Sequence, residues 1–170
     1  MKLTLERCTV RPWRLEDAES LARHANNRNV WIALRDFFPH PYTIEDAHTF
    51  LKSVISSEPV TLFCLEANGA AVGGIGIRIG ADVHRQTAEL GYWLSQEFWG
   101  RGIMTEAVAD FTDFCFKEFQ LRRIYAEPFA NNPASARVLE KADFTFEGRL
   151  KNHVLKDGKL LDSLLYARTE

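Results

Sequence analysis

The chain has 170 residues and a formal net charge of -2 at neutral pH, a size typical of one domain and a weakly acidic balance. Hydrophobic residues make up 46% and charged residues 26% of the chain, which are values of a globular protein and exclude a disordered one. No apolar run approaches the roughly 20 residues of a membrane span, and the acidic balance disfavours nucleic-acid binding, so we expect a cytoplasmic protein that binds neither membranes nor nucleic acid.

The start of the chain and the cysteines agree with that location. Lys2, Glu6 and Arg7 interrupt any continuous apolar region of the kind found in a secretion signal. The three cysteines are far apart, odd in number and each within an apolar stretch, so we expect them to be reduced core residues. They are Cys8, Cys64 and Cys115. The histidines show no metal-ligand spacing, so no metal site is expected.

The first elements in chain order are a strand and a helix. Residues 5–10 alternate weakly between apolar and polar side chains and predict a strand. Residues 15–25 carry apolar side chains at helical spacing, and the polar residues 26–29 end that helix.

An aromatic segment follows at residues 31–42. It holds four aromatic side chains with two prolines among them, and the prolines exclude a regular helix. Thr43 followed three residues later by Asp46 resembles a capping box, so a second helix is expected from there to about residue 56.

The rest of the chain alternates strands and helices. Strands are predicted at residues 60–66, 70–79, 87–94, 123–128, 144–155 and 160–168, with hairpin turns at Asn68-Gly69 and Asp157-Gly158. Amphipathic helices are predicted at residues 104–119 and 133–141. This order predicts one mixed α/β domain over residues 1–170, with a sheet that is mainly antiparallel at its start.

The segment at residues 93–105 carries the strongest chemical signal. A strand ends there, a loop with Gly100 and Gly102 follows, and a helix begins at once. Glycine allows a ligand to approach the main chain closely, and the first amides of a helix point outward as donors at the positive end of the helix dipole. Such an arrangement suits a diphosphate, although a plain strand-to-helix turn has the same pattern. Arg101 either contacts a phosphate or is solvated.

Two stretches around this loop resemble a known family. Residues 89–94 (ELGYWL) with 98–107 (FWGRGIMTEA) are similar to the central motif of the GNAT acetyltransferases, and in particular to their RimJ/RimL-like branch, the ribosomal-protein N-terminal acetyltransferases. Residues 132–144 (NPASARVLEKADF) resemble the next motif of that branch, with Asp143 where glycine is usual. Both motifs occur in the family's order, and the resemblance extends over the whole chain.

The resemblance implies the fold and the cofactor. The fold is an α/β (α+β) arrangement with a mixed, mainly antiparallel sheet of about seven strands, split by a cofactor cleft and flanked by about four helices. Acetyl-coenzyme A (acetyl-CoA) lies between the strands at residues 87–94 and 123–128, with its diphosphate on the glycine loop. The residues implied for cofactor binding are Trp93, Leu94, Gly100, Arg101, Gly102, Ile103, Met104, Thr105 and Asn132.

Glu89 is the candidate general base. An amine acceptor is mostly protonated at pH 7, so its attack on a thioester benefits from a base. Strand periodicity puts Glu89, Gly91 and Trp93 on one face, and the resemblance implies that a glutamate at this position is the base. Glu89 as a purely structural carboxylate, Glu66 and Asp82 remain alternatives.

Ser135 is the candidate general acid, because Leu139 stands where many family members have a tyrosine. Asn132 is expected to cap the helix that Pro133 begins, which places Ser135 in its first turn. A local capping role for Ser135 and a donor role for Tyr166 remain alternatives.

The acceptor is less defined. The resemblance implies that its walls are residues 31–42 and 152–159, with Trp31, Phe37, Phe38 and Tyr42 as candidate substrate-binding residues. These aromatic residues serve equally well as core or as contacts of a homodimer. We expect an N-acetyltransferase for a protein or peptide N-terminus. The alternatives are an acetyltransferase for a small amine, such as an antibiotic, a polyamine or an amino acid, a non-catalytic acyl-CoA sensor, and an interaction domain.

Overall fold

A computed structural model describes residues 2–170, which form two compact units. The first unit comprises residues 2–76 and Tyr92–Ile103, and the second comprises Ile77–Gly91 and Met104–Glu170. This part of the chain contains eight strands and five α-helices. The mixed α/β fold is confirmed, with eight strands where about seven were expected and five α-helices where about four were expected.

The helices and strands follow the predicted order closely. The helices are α1 (Ala18–Ala25), α2 (Arg28–Trp31), α3 (Ile44–Ile55), α4 (Ile103–Phe119) and α5 (Pro133–Lys141). The strands are β1 (Leu3–Thr4), β2 (Thr9–Pro12), β3 (Leu62–Ala67), β4 (Ala70–Ile79), β5 (Thr87–Leu94), β6 (Arg123–Ala126), β7 (Thr145–Lys156) and β8 (Lys159–Thr169). Short 3-10 helices occur at Leu15–Asp17, Asp82–His84 and Gln96–Phe98.

The two additional elements lie in the first forty residues. Of the strand expected at residues 5–10, residues 9–10 belong to β2, whereas residues 5–8 form the turn between β1 and β2. In that turn the Leu5 amide donates to the Cys8 carbonyl at 2.9 Å. The charged pair Glu6 and Arg7 occupies that turn. Helix α2 is a single turn capped by Asn27, whose side-chain oxygen accepts from the Asn29 amide at 2.8 Å.

Helix α3 begins as the sequence predicted. The Thr43 hydroxyl accepts from the Asp46 amide at 3.2 Å, and the Asp46 carboxylate accepts from the Thr43 amide at 2.8 Å. This reciprocal pair satisfies two amide donors that the helix itself cannot pair, so the capping box is confirmed.

In the first unit, β1, β2, β3 and β4 are neighbours in that order and pair antiparallel throughout. This confirms the antiparallel start of the sheet. Helices α1 and α3 pack with these strands around a buried apolar cluster. Its members are Trp13, Ala18, Leu21, Ala25, Tyr42, Ala47, Leu51, Val54, Cys64 and Ala71.

A buried arginine links β2 to the start of α1. The Arg11 guanidinium is 4% exposed and donates two hydrogen bonds to the Asp17 carboxylate, at 2.7 and 2.8 Å. Its third nitrogen donates to Glu66 at 2.6 Å. Removing one partner of a buried ion pair of this kind strongly destabilises the folded protein, because the other charge is left buried without compensation.

In the second unit, the order is β5-β6-β8-β7. Strands β5 and β6 are parallel, whereas β6 with β8 and β8 with β7 are antiparallel. Parallel neighbours need a crossover connection, and α4 supplies it between β5 and β6.

The predicted turns have the backbone that their residues favour. Asn68 and Gly69 have φ values of 52° and 75°, and Asp157 and Gly158 have 51° and 72°, as a two-residue hairpin turn requires. Asp143 has a φ of 64°. It therefore adopts the left-handed conformation that favours glycine, and the turn after α5 forms with an aspartate at this position.

All three cysteines are free and buried, as expected. Burial raises the pKa of Cys64 to about 12. No helix within residues 2–170 is long and apolar enough to cross a bilayer.

Candidate functional site

The glycine loop follows the 3-10 helix after β5 and leads into α4, and its residues belong to the first unit. Gly100 and Gly102 have φ values of 75° and 77°, conformations that residues with a side chain rarely adopt. Helix α4 begins at Ile103 directly after them. The loop therefore delivers exposed main chain to the N-terminus of a 17-residue helix, whose first amides have no partner inside the helix.

Buried side chains begin α4, and exposed ones precede it in the loop. Ile103 and Met104 are buried at 5% and 8% exposure, so packing fixes the direction in which the helix leaves the loop. Arg101 is exposed and lies over the Phe98 ring at 5.2 Å. A side chain added at Gly102 would come within 3.4 Å of the Arg7 guanidinium, so a second arginine lies beside the loop.

Hydrogen bonds anchor the segment that precedes the glycines. The Ser95 amide donates to the Val72 carbonyl at 2.8 Å, and the Trp99 indole donates to the Leu94 carbonyl at 2.8 Å. Main-chain groups near Leu94, which the resemblance implies for cofactor binding, are thus partly engaged within the loop itself.

Helix α1 and the residues after it also hold this segment. His24 Nδ1 lies 3.0 Å from the Ser95 hydroxyl, and both residues are buried, at 7% and 4% exposure. The Asn27 and Asn29 side-chain amides both donate to the Gln96 side-chain oxygen at 3.0 Å. Sequence reasoning missed this anchor, because no local pattern connects residues 24–29 with residues 95–96.

Burial lowers the pKa of His24 below its ordinary value of 6.5. The negative charge of Glu97 opposes this shift and the positive charge of Arg23 adds to it. The neutral imidazole is therefore the form that the fold favours.

Strand β5 has one buried and one accessible face, as the alternation predicted. Ala88, Leu90 and Leu94 are buried, whereas Glu89 and Gly91 lie on the other face. A Cβ atom built on Gly91 meets no atom within 4 Å. That face of the strand is therefore open beside Glu89.

The parallel pairing of β5 with β6 is short. It runs from Thr87 opposite Arg123 to Glu89 opposite Tyr125. Beyond that point the chain follows β8: the Pro128 carbonyl accepts from the Leu164 amide at 2.9 Å, and the Ala130 amide donates to the Asp162 carbonyl at 2.8 Å. In the second unit β5 thus continues past Glu89 without β6 beside it, as the expected split requires.

Glu89 lies at the closed end of this opening. Its side chain is 18% exposed, and its carboxylate lies 3.9 Å from the Arg78 guanidinium. The two alternative carboxylates have different settings. Glu66 is bound to the buried Arg11, and Asp82 is exposed in a short 3-10 helix. Glu89 is thus the one of the three that borders the opening.

The start of α5 has the expected cap. The Asn132 side-chain oxygen accepts from the Ser135 amide at 3.3 Å, and Pro133 is the first helical residue. Ser135 is half-buried in the first turn. The alternative donor, Tyr166, is 4% exposed and donates its hydroxyl proton to Glu140 at 2.9 Å. Burial and this hydrogen bond raise the pKa of Tyr166 above its ordinary value.

The candidate substrate aromatics separate into two groups. The Phe38 ring packs on the Tyr42 ring at 4.9 Å and on the Trp93 ring at 5.5 Å, and Tyr42 belongs to the buried cluster of the first unit. Trp31 stacks on His40 at 5.7 Å, and Phe37 is 77% exposed. Tyr42 is therefore a core residue, and Phe37 is the most accessible of the four aromatic residues.

No group of side chains within residues 2–170 has the composition and geometry of a metal site.

Comparison with known proteins gives a consistent result. A model of the acetyltransferase (GNAT) domain matches residues 7–145. The putative ribosomal N-acetyltransferase YdaF of Bacillus subtilis (strain 168) is 28% identical over 95% of this chain and 91% of its own. The spermidine N(1)-acetyltransferase of Escherichia coli (strain K12) is 26% identical over 91% and 82%. The structure of Mycobacterium smegmatis RimJ in complex with CoA-disulfide has a TM-score of 0.84 and 27% identity, covering 95% of this chain and 81% of that one.

The buried imidazole gives a prediction about stability and pH. The unfolded chain takes up a proton at His24 near pH 6.5, whereas the folded chain does so only at lower pH. The free energy of unfolding is therefore fully retained above pH 6.5 and falls as the pH drops below it. His24→Asn keeps a side-chain amide near Ser95 and should flatten the slope between pH 7 and 5 by up to about 1.4 kcal/mol per pH unit. Urea unfolding of both proteins across that range measures the difference, and parallel stability curves would contradict it.

Proposed function

This chain belongs to the GNAT acetyltransferase family and is an N-acetyltransferase, and from that premise we propose that it acetylates the N-terminal amine of a protein or peptide, using acetyl-CoA. The observation that carries the proposal is the divergence of β5 from β6 after Glu89, with the uncovered Gly91 on the same face. An extended ligand arm can hydrogen-bond to a strand edge of this kind as an added strand does.

Acetyl-CoA supplies the activated thioester. The residues proposed to hold it are those of the glycine loop and the first turn of α4, with Asn132 on the pantetheine. The positive φ values of Gly100 and Gly102 and the exposed main chain between them fit a diphosphate, because the helix dipole adds positive potential at the same end. Arg101 and Arg7 add formal positive charge near the loop.

Glu89 is proposed as the group that accepts the proton of the amine, directly or through water. Its carboxylate is partly accessible and borders the opening, with room beside it at Gly91. A peptide α-amine has a pKa of about 7.7–8.0, against about 10.4 for a lysine side chain, so a carboxylate removes its proton more readily at neutral pH. This difference supports an N-terminal acceptor.

Ser135 is proposed as the donor of a proton to the departing thiolate. The Asn132 cap fixes it in the first turn of α5, where the helix dipole favours negative charge. Tyr166 is the less suitable donor, since its hydroxyl already donates a hydrogen bond to Glu140 and its raised pKa makes the proton harder to release.

The relatives support two acceptor classes. YdaF is named as a putative ribosomal N-acetyltransferase, and the spermidine enzyme is named for a polyamine. A small amine is therefore the second candidate for this chain. The exposed Phe37 favours the peptide, because a peptide end offers apolar side chains for it to contact.

The diphosphate site can be tested with a truncated ligand. Acetyl-CoA at about a hundred times its Kd should add about 2.7 kcal/mol to the stability. That corresponds to a rise in Tm of roughly 5–10 °C for a chain of this size. Acetylpantetheine has the same thioester without the diphosphate and nucleotide, and should give a much smaller rise at equal concentration. Equal shifts in a thermal melt would remove the glycine loop from cofactor binding.

The acceptor class can be tested with a panel of amines. Peptides with a free N-terminus should release coenzyme A thiol faster than the same peptides with a blocked N-terminus and a free lysine. Mass spectrometry of the products locates the acetyl group. Turnover of small amines alone would replace the proposed acceptor by the second candidate.

The role of Glu89 can be tested by an isosteric change. Glu89→Gln should lower kcat by about 10²-fold or more, because a positioned general base contributes about 10²–10⁴-fold. The Kd of acetyl-CoA should stay near that of the wild type. Glu118→Gln, an exposed change of the same charge on α4, is the matched control. Wild-type kcat in Glu89→Gln across pH 6–9 would exclude Glu89 as the base.

A further inference from the structure

An irregularity in β7 brings polar side chains together on the second unit's sheet. Leu150 pairs with Ser163 and Val154 with Leu161, so β7 has two more residues than β8 over this stretch. Asn152, in the middle, has a φ of 48°. The Asp162 carboxylate accepts from the Asn152 amide at 2.8 Å and fixes the bulge. Bulges of this kind redirect side chains and are frequent beside active sites.

The bulge presents His153 to two other side chains. Its Nδ1 lies 3.1 Å from the Ser163 hydroxyl and 3.9 Å from the Glu127 carboxylate. Ser163 is 1% exposed, whereas the side chains of His153 and Glu127 are 42% and 22% exposed. The carboxylate of Glu127 is therefore half-buried but still reachable from solvent.

Glu127 lies on the face that carries Glu89. Glu89 and Tyr125 are in register on neighbouring strands, so they share a face. Strand β6 ends at Ala126, but the bridge between Phe129 and Ser163 continues its register with β8, so Glu127, two residues beyond Tyr125, lies on the same face. Two residues along a strand span about 6–7 Å. Gly91 is likewise two residues beyond Glu89, with open space above it. The opening between the diverging strands thus has Glu89 at its closed end and Glu127 further along one side.

Glu127 lacks a permanent countercharge. Among residues 2–170 its ion-pair partner is His153 alone, which is charged only when protonated. The neighbouring cations are engaged elsewhere: Arg123 with Glu147, and Arg149 with Asp162. Lys151, on the bulge, is exposed, and its positive charge helps to lower the pKa of Asp162. A half-buried carboxylate without a fixed cation is costly, and a cationic ligand removes that cost.

We propose that Glu127, positioned by His153, binds a second positive charge on the acceptor and so selects amines that carry one about two residues' length from the reacting nitrogen. This inference rests on the proposed function and deepens it. The shared chemistry is a primary amine with a second cationic group. Either a diamine or a peptide with a basic residue next to its N-terminus supplies it.

The test compares acceptors that differ only in the second charge. Diamines of three to six carbons are paired with monoamines of equal length, and peptides with Lys at the second position are paired with Ala peptides. The wild type should prefer the charged member by about tenfold or more in kcat/KM, since hydrogen bonds between charged groups contribute this much. Glu127→Gln should reduce that ratio to near one, and Glu118→Gln should keep it. The pair with the larger ratio identifies the source of the second charge.

A second variant and a binding measurement keep the test decisive. His153→Lys places a permanent cation beside Glu127 and should also abolish the preference, although the carboxylate remains. Calorimetric titration of the CoA-bound protein with each diamine and its monoamine measures the same ratio as Kd values, without turnover. A ratio unchanged by both variants overturns the inference even if acetyl transfer proceeds. Absence of thiol release with every acceptor overturns the proposed function, while the titration still decides on Glu127.

Discussion

The proposed cofactor site depends on the hydrogen bonds that keep the chain after β6 on β8. Pro128 and Ala130 pair with β8, and they do so where a parallel sheet would continue along β5. Strand β5 therefore has no β6 residue opposite Leu90 and Gly91 in the second unit. Backbone groups on such a stretch need partners, and an extended ligand satisfies them as a neighbouring strand would. The role proposed for Glu89 depends on this gap.

The anchoring of the glycine loop is a second condition, and it comes from the first unit. His24 holds Ser95, and two asparagines hold Gln96, so the turn before Gly100 has little freedom. A loop that binds a flexible, charged ligand pays less entropy when it is already ordered. His24 lies in the last turn of α1, the two asparagines follow that helix, and the segment after them carries Trp31 and Phe37. Substitutions at His24 thus affect the loop without contacting a ligand.

The sequence was sufficient for most elements and insufficient for long-range contacts. Residues 70–79 and 87–94 were predicted with the bounds of β4 and β5, because alternation and turn residues are local signals. The turn at residues 5–8, which separates β1 from β2, was missed, since a turn without glycine or proline leaves no such signal. Glu89 and Ser135 came from the family resemblance.

The bulge in β7 illustrates the other limit of the sequence. Its register depends on which residues of β8 lie opposite, and no pattern in residues 150–154 indicates that β7 has two more residues than β8 there. Glu127, His153 and Ser163 are far apart in the chain and meet only because β6, β8 and β7 are adjacent. A polar cluster of this kind is visible only after folding.

The burial of all three cysteines has a practical consequence for handling this protein. Reaction with maleimides or disulfide reagents requires a thiolate, and the fold both shields these sulfur atoms and, at Cys64 and Cys115, raises the pKa of the thiol. The native chain is therefore resistant to alkylation and to cross-linking through sulfur. Modification will instead occur when the structure opens locally, so the rate of thiol labelling measures local unfolding around β3 and α4.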